Sequence, residues 1–403
     1  METFDFDEII PRKGTRSLKW DVDPAPDMVE LWVADMDFRA APVIREALQR
    51  KLDLGVFGYG LPDDAFYEAI TSWFRTRHAT EVKKEHIVPV TGVVPAFSAI
   101  LQALCLPGDE VIIQTPAYNC FFSSLRNAGV QLSANPLKLE DGRWEIDFED
   151  LERRASSAKA RALLFCNPQN PTGRVWSAEE LRRTADICRR HGLWLISDEI
   201  HGELTAEGFR YTPFASVGEW ESENVITASA ASKAFNIAGL QTAYVIAPDP
   251  RVRSLIDRQI NINEVCDPNP LGVEALIAAY SSRGAAWLDA LNRYLDGNRK
   301  AVADFFSSEL PECFLSPQEG TYLPWIDFSA FGKSSSQVEE ELRSRYGVHV
   351  NGGAHYGETT PGWVRLNIAT PRAVLEKGLG RIGEWASDVR RQKGVEASQN
   401  AGR

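Results

Sequence analysis

The sequence predicts an α/β protein: a large domain on a mostly parallel central sheet, with a smaller α+β domain beside it. Three observations carry that expectation. From about residue 50 to 280, short apolar runs alternate with amphipathic stretches, the pattern of βαβ units feeding a parallel sheet. Beyond 280 the pattern becomes a long helical stretch, two apolar runs and a last helix. The length, 403 residues, gives a prior of two or three domains and ample material for a core.

Along the chain, the strands expected in the large domain are Glu110–Gln114, Ala162–Cys166, Leu193–Ser197, Val225–Ala228 and Ala243–Ala247, with helical patterns between them. The clearest helix runs from Ser177 to His191. Ser177 and Glu180 have the spacing of a capping box, and Gly192 suits the residue that ends it. Helical periodicity resumes at Ala285–Leu310, strands are expected at Tyr322–Asp327 and Val364–Ile368, and a final helix from about Pro371 to Arg390. The expected division is a large domain over 50–280 and a small domain formed by 1–49 with 281–390. The polar residues 391–403 read as a flexible tail. There is no internal repeat and no low-complexity linker.

Composition removes several classes of function. Lys plus Arg number 44 against 56 Asp plus Glu, a net charge of −12, which disfavours nucleic acid as a partner because phosphate recognition needs a basic face. No apolar run approaches the roughly 20 residues of a membrane helix. Met1–Ile10 is acidic and unlike a signal peptide. Cysteines at 105, 120, 166, 188, 266 and 313 include no Cys-x-x-Cys pair, so no zinc ribbon and no disulfide framework is expected, and a reducing cytoplasm is the expected compartment. The six histidines are scattered and no metal site is expected. Neither a Gly-x-Ser-x-Gly elbow nor a Walker loop is present.

Ligands of open α/β sheets bind at the carboxyl ends of the strands. After the strand ending at Cys166 comes Asn167-Pro168-Gln169-Asn170-Pro171-Thr172-Gly173; after the next comes Asp198-Glu199-Ile200-His201; after another comes Ser229-Ala230-Ala231-Ser232-Lys233. Singly these are turn and cap chemistry. Together they are mutually consistent: a lysine able to form a Schiff base, a carboxylate able to keep a pyridine nitrogen protonated, and an amide able to donate to a phenolate oxygen. Those are the needs of pyridoxal 5′-phosphate, with Lys233 as its amine partner and base, Asp198 at the ring nitrogen and Asn170 at the ring oxygen.

The chain resembles fold-type I pyridoxal-phosphate enzymes of the class I/II aminotransferase superfamily. Within them it is similar to the MalY/PatB-type cystathionine β-lyases, also called cysteine-S-conjugate β-lyases. The resemblance is carried by Lys19-Trp20-Asp21, Trp32-Val33-Ala34-Asp35-Met36-Asp37-Phe38, Phe57-Gly58-Tyr59-Gly60, Thr91-Gly92-Val93-Val94-Pro95 and Gln114-Thr115-Pro116-Ala117-Tyr118, then by the three segments above and their continuation to Leu240. It ends with Gly320-Thr321-Tyr322-Leu323 and Arg365-Leu366-Asn367-Ile368-Ala369. It implies a fold-type I transferase-like fold and further roles. Gly92, Val93 and Val94 open a helix suited to the cofactor phosphate, Ser232 resembles a phosphate donor, and Tyr118 looks like the ring-stacking aromatic and a candidate acid for the leaving thiolate. His201 stands either beside the ring or as a structural histidine. Arg365 resembles the fork that holds the substrate carboxylate, with Ala34 and Asn170 also on the substrate side. Tyr59 resembles a tyrosine reaching the phosphate of a neighbouring subunit, which implies a homodimer with shared sites.

Two departures are informative. Gly239-Leu240-Gln241-Thr242 lacks the phosphate-binding arginine common in aminotransferases at that place, in agreement with the lyase branch. Asn119-Cys120 stands where that branch commonly has prolines, which bears on the substrate. The implied reaction is α,β-elimination of cystathionine or another cysteine S-conjugate, a small amino-acid substrate, giving thiol, pyruvate and ammonia. The alternatives are an aminotransferase, a lyase-family member of a specialised natural-product pathway acting on a larger sulfur conjugate, and a cofactor-binding regulator. No helix-turn-helix extension or basic stretch supports the last.

Overall fold

A seven-stranded sheet is the frame on which the rest is placed, in a computed structural model that describes residues 4–23, 25, 27–217, 224–357 and 360–401. Its strands are β1 (Ile87–Val90), β2 (Glu110–Thr115), β3 (Gln131–Pro136), β4 (Ala160–Cys166), β5 (Trp194–Asp198), β6 (Val225–Ser229) and β7 (Ala243–Ile246). The spatial order is β1-β7-β6-β5-β4-β2-β3. Strand β7 is antiparallel to both neighbours and every other pairing is parallel. The exception follows from the connection: only residues 230–242 separate β6 from β7, with a 3₁₀ turn at Ala238–Leu240 and no crossover helix of the kind a parallel return uses.

The five expected strands stand within two residues of their sequence-based limits. The two unexpected ones, β1 and β3, are the sheet's edges. Strand β1, though apolar, is short and carries Pro89, which an edge tolerates, and β3 is polar and exposed along much of its length, without the apolar run that marks a buried strand. The inner strands are covered on both faces. Val111, Ile113, Leu164 and Ile196 belong to one core cluster, and Ile112, Leu163, Phe165 and Leu195 to another. Alternate residues thus fill opposite cores, which is why these strands read as unbroken apolar runs.

Helices α1 (Val93–Leu104), α2 (Asn119–Ala128) and α3 (Ala178–Arg190) follow β1, β2 and β4. The capping box of α3 is formed, with Ser177 accepting from the Glu180 N–H and Glu180 returning the bond, and Gly192 beyond its end has φ +66°. A second sheet has the order β8-β9-β11-β10, built from β8 (Phe314–Leu315), β9 (Trp325–Asp327), β10 (Asn351–Gly352) and β11 (Trp363–Arg365), all antiparallel. The long helix α4 (Ser282–Glu309) and the last helix α5 (Arg372–Ala401) pack with it. Two expectations are corrected here. The runs Tyr322–Asp327 and Val364–Ile368 are strand only over β9 and β11, and residues 391–401, read as a flexible tail, continue α5 in their backbone. Gly402 and Arg403 lie outside the described residues.

The N-terminal segment joins this second unit: Val29–Glu30 pairs in parallel with Val348–His349, and Leu31, Phe38, Leu291, Leu366 and Trp385 share one core cluster. Among the described residues no helix is long and apolar enough to cross a membrane, and all six cysteines are free.

Candidate active site

Register brings the three chemical segments together. Cys166 on β4 pairs with Asp198 on β5, and Asp198 pairs with Ala228 on β6, so the segments leaving these strands emerge side by side. They open on a cavity of about 440 Å³. Of the twelve residues expected in the site, ten line it: Ala34, Gly92, Val93, Val94, Tyr118, Asn170, Asp198, His201, Ser232 and Lys233. Arg365 stands just behind, buried at the end of β11, donating to Asn170 Oδ1 at 3.1 Å and to the Trp32 carbonyl at 2.9 Å. Tyr59 is elsewhere, on the surface and 95% exposed.

The charges are unusual and have physical causes. Lys233 Nζ donates to the Ala34 carbonyl at 2.8 Å. Burial, with the Arg365 cation next, pushes its pKa below the usual lysine range, against the pull of Asp35 and Asp198. Among the described residues the Asp198 carboxylate has one hydrogen bond, from the Ile200 N–H at 3.2 Å; burial pushes its pKa up to about 7. His201 is buried with Nδ1 lacking a hydrogen-bond partner among the described residues. Burial, with Lys233 and Arg365 adding to it, lowers its pKa to about 3, so the ring is neutral. Tyr118 caps α2, and burial raises its pKa, so the hydroxyl stays protonated.

These residues fit the expected cofactor. Because Arg365 donates to Asn170 Oδ1, the Asn170 amide is left with N–H groups to give, as a phenolate oxygen requires. Asp198 is a carboxylate short of donors, as a pyridinium N–H requires. Helix α1 begins at Gly92, whose missing side chain caps nothing, so the first N–H groups of the helix border the cavity with the positive end of its dipole. A Cβ at Gly92 would lie 3.3 Å from Pro95 Cδ. Among the described residues no three His, Cys, Asp or Glu side chains gather as a metal site.

Sequence reasoning assigned no role to several residues that hold this arrangement. Residues 32–38 form a strap over the cavity. Asp37 accepts from Lys19 at 2.7 Å and from Arg12 and Trp20 at 2.8 Å each, which explains why the Lys-Trp-Asp and Ala-Asp-Met-Asp segments occur together. Asn236, three residues past Lys233, donates to the Met36 and Phe38 carbonyls and accepts from the Met36 N–H. Asn367 donates to the Val33 and Asp35 carbonyls. Glu199 points away from Asp198, as strand alternation requires, and collects Tyr211, Ser197 and the Phe214 N–H into a buried polar anchor. Gln241 and Thr242 enter the cavity wall.

Residues 26–382 match the family model of aminotransferase class I and II. The chain belongs to that family. Within it, the chain is 40% identical to the cystathionine beta-lyase PatB of Bacillus subtilis, over 94% of this chain and 98% of PatB. Cystalysin from Treponema denticola, a structure containing pyridoxal 5′-phosphate, has a TM-score of 0.93 at 35% identity, covering 96% of this chain and all of its own. The PLP-bound C-S lyase from Staphylococcus hominis has a TM-score of 0.87 at 34% identity, covering 94% and 98%. Matches of this extent place the fold in the fold-type I class, a large mostly parallel sheet with a smaller antiparallel unit.

Proposed function

We propose that this protein is a pyridoxal 5′-phosphate-dependent carbon–sulfur β-lyase acting on L-cystathionine or another cysteine S-conjugate. One observation carries the reading. Lys233, Asp198 and Asn170 converge on one cavity with Arg365 bonded to Asn170, in a chain 40% identical to a cystathionine beta-lyase over 94% of its length. The bound cofactor supplies an electron-poor ring that takes up the charge left at the substrate Cα. Asp198 would hold the ring nitrogen and Asn170 the ring oxygen. Gly92, Val93, Val94 and Ser232 would receive the phosphate, and Tyr118 would cover the ring.

The chain's own groups do the rest. Arg365 presents a planar fork to the substrate carboxylate, fixing it so that the Cα–H bond, and not the bond to the carboxylate, stands aligned for cleavage. Lys233, desolvated and with its pKa lowered by burial and the Arg365 cation, takes the Cα proton at Nζ. The Cβ–S bond then breaks with its electron pair on sulfur, and the Tyr118 hydroxyl or water protonates the thiolate. Pyruvate and ammonia follow on hydrolysis. His201, neutral and lining the cavity, would add no positive charge beside the ring.

The domain division, compartment and assembly belong to the same proposal. Residues 50–280 act as the large domain, and 1–49 with 281–390 as the small one. The enzyme works in the cytoplasm as a homodimer with shared sites. The exposed apolar residues Leu54, Val56, Phe57 and Leu61 around Tyr59 support the last point. The test is incubation of the holoenzyme with L-cystathionine and S-substituted cysteines, following thiol and pyruvate. Stoichiometric release supports elimination. Amino-group transfer to an added keto acid with no thiol released identifies an aminotransferase instead.

A further inference from the structure

A second cavity, of about 680 Å³, lies beside the catalytic one. The two have no lining residue in common, but neighbouring residues of the chain border one and the other. Tyr118 lines the catalytic cavity and Asn119 lines the second. Tyr356 lies against the Arg365 guanidinium, 4.9 Å from ring centroid to Cζ, and its neighbour His355 lines the second cavity. The Ala117 N–H donates to the Tyr356 carbonyl at 2.8 Å and so ties the two walls together.

One face of α2 forms the floor: Asn119, Phe122, Ser123 and Arg126 are spaced at three and four residues and all border the second cavity. From Asn119 to Arg126 is about 10 Å along the helix axis. The Arg126 guanidinium has no hydrogen bond or ion pair among the described residues, while its backbone carbonyl accepts from the Gly129 N–H. His355, the other ionisable group of the described lining, is already bound to Glu339 at 3.2 Å. An unpaired arginine at the far end of a polar-floored cavity, continuous with the wall beside the substrate-carboxylate arginine, is suited to a second anionic end.

We propose that the second cavity receives the sulfur-borne half of the substrate, and that Arg126 selects conjugates whose thiol half ends in a carboxylate. This rests on the β-lyase reading and narrows it, from cysteine S-conjugates in general to those with an extended, anionic thiol half. It also gives a role to Asn119, the departure from the lyase pattern, as the first polar group beyond Tyr118.

The experiment compares S-carboxypropyl-L-cysteine with its carboxamide, S-carbamoylpropyl-L-cysteine, equal in size and different in charge. Wild-type holoenzyme should show a kcat/KM for thiol release about five- to thirty-fold higher for the acid, the range of a charge-assisted pair in a partly solvated cavity. The preference should shrink with added salt. Arg126→Gln, on an exposed helix face, should abolish it through KM while leaving the carboxamide unchanged. Equal kcat/KM for the two compounds in the wild type, or a preference that survives Arg126→Gln, overturns the proposal. Calorimetric dissociation constants of the same compounds on the holoenzyme keep the two readings apart. Absence of thiol release from both refutes the β-lyase reading, while an Arg126-dependent binding preference, present or absent, still decides the role of the second cavity.

Discussion

Asp198 shows at the level of one residue how the site is held ready at the expense of the empty fold. Its folded pKa of about 7 lies above the 3.8 of an unperturbed aspartate, because burial penalises the anion. The folded chain without cofactor therefore binds a proton that the unfolded chain has released between those values. The resulting stabilisation, up to about 4 kcal/mol, is fully present below about pH 3.8 and lost as pH rises to about 7. Asp198→Asn keeps an acceptor for the Ile200 N–H and removes the titration. In cofactor-stripped protein the stability of the variant relative to wild type should grow by about 2–3 kcal/mol from pH 5 to pH 8, measured by urea unfolding. A difference independent of pH would mean that Asp198 is solvated well enough to ionise normally. Activity should fall severely in the same variant, since the amide cannot hold a pyridinium. Arg365 gives the complementary case: Arg365→Ala should lower kcat/KM by about 2–5 kcal/mol in transition-state terms, as when one partner of a buried charge pair is removed. It should also release by-products of other bond cleavages at Cα, because the carboxylate is no longer fixed. Unchanged kcat/KM would move the carboxylate site elsewhere.

Elements explain why some of this was legible in the sequence and some was not. The inner strands β4, β5 and β6 are buried on both faces and announce themselves as apolar runs, so the residues following them, Asn170, Asp198 and Lys233, could be placed at one end of one sheet. The edges β1, short and carrying Pro89, and β3, polar and exposed, give no such signal, and the helix after β1 entered only through its resemblance to a phosphate site. The strap was the least legible element. Its residues have no period, and its shape depends on contacts with residues far away in the chain, from Lys19 and Asn236 to Asn367. Helix α1 and the strap each carry a prediction. Gly92→Asp supplies the side-chain acceptor that the helix start lacks and adds a negative charge there. It should weaken cofactor binding at least tenfold, read by fluorescence titration of the stripped protein, and the 3.3 Å approach of its Cβ to Pro95 Cδ should lower the melting temperature slightly. Lys19→Met removes one cation from the Asp37 charge, leaving Arg12 and the Trp20 N–H as its partners, and should destabilise the fold by about 3 kcal/mol in urea. A loss below about 1 kcal/mol would show that Arg12 and Trp20 suffice to hold the strap.

At the scale of the molecule, the single chain leaves Tyr59 with nothing to do. Its side chain is 95% exposed, beside exposed Val56, Phe57 and Leu61, so a tyrosine packed within its own subunit is not what the fold contains. Gly60 next to it runs so close to the backbone around Pro268 that a Cβ would lie 2.7 Å from the Pro268 carbonyl oxygen, which fixes where the segment projects. In a two-fold dimer the same patch meets its copy or a neighbouring site, and a tyrosine projecting from one subunit can complete the phosphate site of the other. Subunit mixing tests this directly. Tyr59→Phe and Lys233→Ala chains, each impaired alone, are unfolded together and refolded. If the sites are shared, each hybrid has one site that combines the intact Lys233 of the first chain with the intact Tyr59 of the second. The other site carries both lesions, and activity recovers to about half of wild type per hybrid dimer. If Tyr59 serves its own subunit, one site of the hybrid lacks the hydroxyl and the other lacks the lysine, so no intact site forms. With hybrids verified by mass, activity no higher than that of the two parents would refute sharing and leave the exposed Tyr59 to a surface role unconnected with the phosphate.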